Sequence, residues 1–197
     1  KFMQEAVPLG VGAMAAILGL DRTELIPCLE ACKGYGVVEA ANFNSPGQIV
    51  ISGEVKAVEE AIKRVTEAGA KKAVLLPVSA PFHSSLLRPA GDNLKVELDK
   101  IEIFNPEIPV VANVSASKIT SKDEIVPSLV KQVSSSVLWQ DTISLMLDEG
   151  INSYIEIGPG KALSGFIKRI AKTEGFKSSI QNIEDLETLK SVINNFK

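Results

Sequence analysis

The order in which two hydrophobic periods follow one another through residues 10–78 constrains this chain more than any single motif. Residues 10–18 are a short run of small and apolar side chains, the pattern of a buried strand. Asp21-Arg22-Thr23-Glu24 follows, with an N-cap aspartate and a glutamate three positions later, which marks a helix start. Leu25, Cys28, Leu29 and Cys32 recur at spacings of three and four and share one helical face. Gly34 and Gly36 stop that helix. Residues 37–43 and 48–52 predict two strands around the turn Asn44-Ser45-Pro46-Gly47. Residues 55–68 predict an amphipathic helix with Val55, Val58, Ala61, Ile62 and Val65 in one stripe. Gly69 ends it, and residues 72–78 predict a fourth strand. The order β-α-β-β-α-β is that of a ferredoxin-like unit, an antiparallel sheet with two helices on one face.

The rhythm then changes. Residues 84–101 carry a long helix pattern with Pro89 as a candidate break. Residues 108–114 are a nearly continuous β-branched run, as expected of a strand covered on both faces. Helices are predicted at 122–133 and 139–149, a buried strand at 153–157, and a tight Gly158-Pro159-Gly160 turn into a helix at 161–173. A short strand at 177–181 and a helix at 183–196 complete the chain. This alternation predicts a mainly parallel α/β sheet. Three strands are few for such a sheet, so further strands are expected upstream. Without them, strands apolar on both faces would expose hydrophobic surface and unpaired edges. The opening Lys1-Phe2-Met3-Gln4 lacks an initiator methionine, which also fits a piece of a longer protein.

Charge and composition exclude several classes. Twenty-one basic against 24 acidic residues give a net charge of −3, which argues against nucleic acid or an anionic membrane as partner. No apolar run approaches the roughly 20 residues that span a bilayer. Two cysteines four positions apart make no disulfide framework, and a reducing cytoplasm is the simpler setting. Their C-x-x-x-C spacing fits a metal or redox pair, but core packing is the more ordinary role of two thiols on an apolar helix face. A single histidine, His83, argues against a histidine-based metal site, and no cofactor is indicated.

His83 is the one evident acid–base candidate. It follows the fourth predicted strand in Val78-Ser79-Ala80-Pro81-Phe82-His83-Ser84-Ser85, where a loop leaves a strand end. A neutral imidazole there can serve as a general base; residue type alone favours an exposed loop or N-cap histidine. Ser79, Ser84 and Ser85 read as turn and cap residues, and no G-x-S-x-G elbow occurs. Gly158-Pro159-Gly160-Lys161 offers backbone N–H groups that can hold an anion, but it lacks the Walker pattern. Lys71-Lys72 and Lys168-Arg169 are small basic clusters, ordinarily solvated.

Five segments, in order and spread over nearly the whole chain, resemble the malonyl-CoA:acyl carrier protein transacylases of fatty acid synthesis. They are Met3-Gln4-Glu5-Ala6-Val7-Pro8, Gly12-Ala13-Met14-Ala15-Ala16, Asn42-Phe43-Asn44-Ser45-Pro46-Gly47-Gln48, Pro77-Val78-Ser79-Ala80-Pro81-Phe82-His83 and Glu156-Ile157-Gly158-Pro159-Gly160-Lys161. The resemblance implies an α/β hydrolase-like acyltransferase domain interrupted by the ferredoxin-like insert. Residues 1–8 would end its first part, 9–78 would form the insert, and 79–197 would be the returning C-terminal half. It implies a ping-pong transfer in which a serine takes the malonyl group from CoA and the pantetheine thiol of acyl carrier protein collects it. His83 matches the family's catalytic histidine, and Gln132 the residue whose main-chain carbonyl orients that imidazole. Phe82 matches a bulky residue that crowds a methyl branch on the acyl group. Met14 and Asn44 fall on segments lining the acyl pocket.

The same resemblance exposes departures. The nucleophilic serine of a G-H-S-x-G segment, the carboxylate-pairing arginine and the oxyanion-hole glutamine are absent from these residues. The chain is thus expected to need the missing N-terminal part of the same protein and to be inactive alone. Implied partners are malonyl-CoA and acyl carrier protein, the latter facing Lys71, Lys72, Lys168 and Arg169. Two rival readings remain at the level of sequence. One is a non-catalytic ferredoxin-like module that binds a small molecule or carrier protein; the other is a polyketide-type acyltransferase.

Overall fold

A computed structural model of the chain describes residues 1–8, 10–78 and 80–195. Two compact units divide it, Lys1–Trp139 and Gln140–Lys197. Ser79 and the predicted helix end at Phe196 lie outside the described residues.

The first unit opens with a single-turn helix α1 (Phe2–Glu5), strand β1 (Gly12–Leu18) and helix α2 (Arg22–Glu30). Strands β2 (Val38–Ser45) and β3 (Gln48–Glu54), helix α3 (Val55–Glu67) and strand β4 (Lys72–Leu75) follow. The four strands form one antiparallel sheet in the order β2-β3-β1-β4. The periodicities placed these elements well, although β4 is shorter than residues 72–78 and β3 runs two residues beyond 52. Asp21 and Glu24 form the capping box expected at the start of α2. Pro46-Gly47 connects β2 to β3, with Gly47 at φ 68°, where glycine is favoured.

Period-two alternation gives the sheet two unlike faces. Ala13, Ala15 and Ile17 of β1, with Ile49 and Ile51 of β3, bury one face against Leu25 and Leu29 of α2 and Val58, Ala61 and Val65 of α3. Ile17, Leu25 and Ile51 are fully buried, each contributing about 1.5–3 kcal/mol over exposure. Both cysteines belong here: Cys32 lies in this core and Cys28 packs against it. Burial pushes the Cys32 thiol up, as expected of a core cysteine rather than a reactive one. On the opposite face, Met14, Ala41 and Val50 form a smaller cluster with Leu76 and Phe82. Ala41 lies on this face next to Ala40 on the other, and the β2–β3 register shift between Ala40 and Asn42 is a bulge that returns Phe43 to the first face, opposite Ile49.

The rest of this unit departs more from expectation. The pattern over 84–101 resolves into a 3-10 turn at Ser85–Leu87 and helix α4 (Arg88–Leu98). Pro89 sits in the first turn of α4, where its missing N–H is harmless, so it starts a helix rather than breaking one. Only β5 (Val110–Ala112) forms from residues 108–114. It pairs antiparallel with β6 (Ser117–Ile119), a strand the hydrophobic pattern did not mark. Helix α5 (Lys122–Val133) starts at a Ser121–Glu124 capping box. Val7, Leu87, Ala90 and Val133 bury α1, α4 and α5 against one another, and Gly91 lets α4 approach the Val130 carbonyl.

The second unit contains α6 (Trp139–Asp148), β7 (Ser153–Ile157), α7 (Ala162–Glu174), β8 (Ser179–Ile183) and α8 (Leu186–Asn195). Strands β7 and β8 are parallel, joined through α7 as a βαβ crossover. Among the described residues this pair is all that appears of the expected parallel sheet. Ile157 is 78% exposed and Ile155 39%, so one face of β7 stays apolar and uncovered. In the first unit Ile108 (76%) and Phe104 (69%) are similarly exposed.

One contact ties the sheet to the segment that follows it. A Cβ on Gly12 would stand 2.3 Å from Cδ of Pro81, so the start of β1 admits only glycine beside that ring. Gly12→Ala is expected to displace the turn around residues 80–84 and to lower stability by about 1–3 kcal/mol. Urea unfolding should show a lower midpoint with an unchanged slope; an unaltered midpoint contradicts the close packing.

Candidate active site

Beyond β4 the chain is steered by backbone bonds, with Leu76 N–H donating to Met14 O at 2.9 Å and Val78 N–H to Leu76 O at 2.8 Å. Ala80 and Pro81 are buried, and Phe82 and His83 are half-buried. His83 adopts φ +58°, a left-handed conformation uncommon for a side chain with a Cβ. The turn on either side holds it there. Ser84, fully buried, donates its hydroxyl to the Pro81 carbonyl at 2.7 Å, and Leu87 N–H donates to Ser84 O at 3.0 Å.

The imidazole then meets the end of α5. His83 Nδ1 lies 3.0 Å from the Gln132 carbonyl oxygen. A carbonyl only accepts, so Nδ1 carries the proton and donates, and Nε2 of the neutral ring is left as an acceptor. Gln132 stands in the last turn of α5, where main-chain carbonyls lack full helical partners. Its side chain closes the same end, with Nε2 donating to Ser135 O at 2.9 Å and Ser136 O at 3.3 Å. The segment after the helix joins the free edge of β2. Val137 N–H donates to Ala41 O at 2.8 Å, Phe43 N–H donates to Val137 O at 2.9 Å, and the Ser136 hydroxyl donates to Ala40 O at 2.5 Å. Asn42 and Val137 thus form a short parallel bridge, which fixes the Gln132 carbonyl relative to the sheet.

A cleft of about 440 Å³ opens beside the ring, lined by His83, Glu39, Phe43, Ile26 and Ser134–Ser136 among others. Glu39 Oε2 accepts from Ser85 N–H at 2.6 Å. Phe82 and Met14 do not line this cleft; they meet in the small cluster with Ala41, Val50 and Leu76. The structure therefore brings His83 to Gln132 and Phe82 to Met14. Asn44 is half-buried near the hairpin end of β2 and belongs to neither group among the described residues. Sequence reasoning missed Glu39, Ser136 and the Val137 bridge. The only local sign of Glu39 was a lone carboxylate in the otherwise uncharged strand Val38–Ser45.

The other motifs settle into structural roles. Among the described residues no group of His, Cys, Asp and Glu is placed to hold a metal ion, and no helix is long and apolar enough to cross a membrane. The anion-binding potential of the Gly158-Pro159-Gly160-Lys161 turn is taken up internally. Glu156 accepts from Leu163 N–H at 3.0 Å, Ser164 N–H at 2.8 Å and the Ser164 hydroxyl at 2.5 Å, and Gly160 N–H donates to Glu184 at 3.2 Å. Lys71 and Lys72 are exposed at the start of β4, and Lys168 and Arg169 are exposed on α7.

Residues 1–195 match the family described as acyl transferase domain. The chain is 43% identical over 198 residues to the malonyl CoA-acyl carrier protein transacylase of Bacillus subtilis, covering all of this chain and 61% of that protein. It is 49% identical over 174 residues to the Escherichia coli K12 protein of the same name, covering 88% of this chain and 56% of that protein. The chain therefore spans somewhat under two thirds of the length of these curated relatives. Among solved structures, the malonyl CoA-acyl carrier protein transacylase of Clostridium perfringens superposes with a TM-score of 0.93 at 44% identity, covering 99% of this chain and 60% of that one. A malonyl-transacylase in complex with a type II PKS acyl-carrier protein gives 0.93 at 41% identity, covering 98% and 62%.

The Glu156 cap predicts an acid-sensitive contribution to stability. Burial pushes its carboxyl up, but the three donations from Ser164 and Leu163 outweigh this and hold it below the ordinary value of 4.5. A carboxylate lowered by folding stabilises fully above that value and loses its effect as pH falls through the lowered one. Glu156→Ala is expected to lose about 0.5–2 kcal/mol at neutral pH. It should also flatten the acid limb of an unfolding-versus-pH curve; an acid limb identical to that of the unmutated chain contradicts the assignment.

Proposed function

Because the chain belongs to the acyl transferase domain family, we propose that it supplies the general base of a malonyl-CoA:acyl carrier protein transacylase. The observation that carries this reading is the 3.0 Å bond from His83 Nδ1–H to the Gln132 carbonyl, which leaves Nε2 ready to accept a proton. The nucleophilic serine, the arginine for the malonyl carboxylate and the oxyanion-hole glutamine would come from the remaining polypeptide. On this reading the four-stranded unit at 9–78 is a ferredoxin-like insert, and residues 1–8 and 79–197 belong to a hydrolase-like domain. The strand order β2-β3-β1-β4 supports the insert.

The proposed cycle uses one imidazole in both directions. His83 Nε2 takes the serine proton as the hydroxyl oxygen adds to the thioester carbonyl. Collapse of the tetrahedral adduct breaks the carbon–sulfur bond, and the imidazolium returns the proton to the departing CoA thiolate. The pantetheine thiol of acyl carrier protein then gives its proton to Nε2 and attacks the serine ester. Collapse of the second adduct frees the serine oxygen, which takes that proton back. The Gln132 carbonyl, at the negative end of α5, favours the transient imidazolium as well as fixing the tautomer. No cofactor enters any step.

Phe82 and Met14 are the proposed walls of the acyl pocket, and their shared cluster supports that pairing. Asn44 is the least supported of the pocket residues. The carrier protein, an acidic partner, would meet the exposed basic pairs Lys71-Lys72 and Lys168-Arg169. A cytoplasmic setting fits a bacterial fatty acid synthesis enzyme and is part of the same proposal.

The test joins this chain to the serine-bearing part and follows malonyl transfer from CoA to holo acyl carrier protein. His83→Ala is expected to lower kcat by about 10²–10⁴, and the chain alone is expected to show no turnover. An unchanged rate in His83→Ala, or turnover by the 197 residues alone, overturns the proposal. Phe82→Ala should let methylmalonyl-CoA compete better, by roughly 1–3 kcal/mol in relative kcat/KM. An unaltered preference would remove Phe82 from the pocket.

A further inference from the structure

The bond between His83 and Gln132 joins two segments that are 49 positions apart, and both are fastened to the same edge of the sheet. On one side Ser136 and Val137 bond to Ala40, Ala41 and Phe43 of β2, which places the end of α5. On the other side Glu39, the neighbouring residue of the same strand, reaches the His83 turn. Its Oε2 accepts from Ser85 N–H at 2.6 Å, a charge-assisted bond two residues beyond the imidazole. Glu39 also lines the cleft that His83 lines.

We infer that Glu39 is a positioning residue for His83, its carboxylate anchoring the Ser85 N–H so that the left-handed turn presents Nδ1 to the Gln132 carbonyl. This rests on the proposed role of His83 for its catalytic meaning, but its physical content does not. Residues 39–43 then act as a ruler, setting the base from one side and its orienting carbonyl from the other. Loss of the Glu39 anchor frees the turn to relax from φ +58° and lets Nδ1 leave its acceptor. A shift of that kind at a reacting centre lowers turnover rather than substrate affinity.

The readout is the tautomer of His83. It is read by nitrogen-edited NMR on this chain joined to its serine-bearing part, the His83 imidazole being assigned as the signal lost in His83→Ala. The unmutated chain is expected to show a protected Nδ1–H and an unprotonated Nε2. In Glu39→Ala the Nδ1–H signal is expected to be lost to exchange, while Glu39→Gln, which keeps an oxygen acceptor, retains it. Ser85→Pro deletes the donor instead. Ser84 already has φ −117° and ψ 163°, and Ser85 opens a 3-10 turn, so proline fits there without strain. It should reproduce the Glu39→Ala spectrum, which keeps the test valid if Glu39→Ala does not fold. In the polypeptide completed by its serine-bearing part, both variants are expected to lose about tenfold or more in kcat with KM little changed. Their effects should not add in the double variant.

A protected Nδ1–H that persists in Glu39→Ala and Ser85→Pro overturns the inference and leaves the His83–Gln132 site standing. An unmutated chain that shows the Nε2–H tautomer overturns the site itself and the inference with it.

Discussion

A main-chain carbonyl accepts hydrogen bonds, donates none and does not titrate near neutral pH. When such a group is the partner of an imidazole, the tautomer is decided by geometry alone. The bond from His83 Nδ1–H to Gln132 O is of this kind. It is long-range, and neither end can make it without the first unit being assembled. The His83 turn is placed by β4, by Pro81 against Gly12 and by Ser84; the carbonyl is placed by α5 and by the bridge from Val137 to β2. The sheet is the common reference for both. A carboxylate partner would bring a full charge into a half-buried cleft already edged by Glu39. The helix end supplies a smaller negative potential, worth about 0.3–1 kcal/mol toward the imidazolium, with no ion to desolvate.

The bulge between Ala40 and Asn42 has a part in this that the strand pattern hides. A regular antiparallel edge strand offers its outer N–H and C=O groups in pairs, from alternate residues only. Ala41 meets Met14 and Val50 by alternation, the register shift returns Phe43 to the other core face, and the Ala41 carbonyl accepts from Val137 N–H. The bulged stretch thus carries a floor residue beneath Phe82, a core residue at Phe43 and the docking of the segment behind Gln132. It also covers the edge of β2 with protein, which removes a template for unwanted pairing.

How much was legible in the sequence follows from the range of the forces involved. The elements of residues 12–75 were readable because each is set by local periodicity and by caps a few residues away, as at Asp21–Glu24 and Pro46-Gly47. His83 and Gln132 were reached through a resemblance, since nothing in their own surroundings marks them as partners. Residues 108–114 predicted a longer, covered strand because branched apolar side chains suit any buried strand; only Val110–Ala112 pairs, and its partner is a polar hairpin arm. Gly158–Lys161 forms the tight strand-to-helix connection that the lack of a Walker pattern favoured over an anion site. Backbone N–H groups at a helix start attract any carboxylate, and Glu156, two residues before the turn, is the nearest. Glu39 was invisible because an edge-strand glutamate differs from a solvated one only by what lies across space.

The left-handed backbone at His83 shows which terms prevail in the site. A non-glycine residue held there costs of order 1–3 kcal/mol, and such strain persists only where neighbours over-determine it. Four constraints act between Pro81 and Leu87: the buried Pro81 ring, the Ser84 hydroxyl on Pro81 O, the Leu87 N–H on Ser84 O, and the Ser85 N–H on Glu39. Each hydrogen bond contributes about 0.5–1.5 kcal/mol net, more for the one to a carboxylate. Three such bonds together contribute about 1.5–4.5 kcal/mol, of the same order as the strain, and the imidazole–carbonyl bond adds to them. Loss of any one weakens the set that opposes the strain. The turn is therefore stiff only while its full set of partners is present, and the orientation of the imidazole is a collective property of β2, the 80–87 turn and the end of α5.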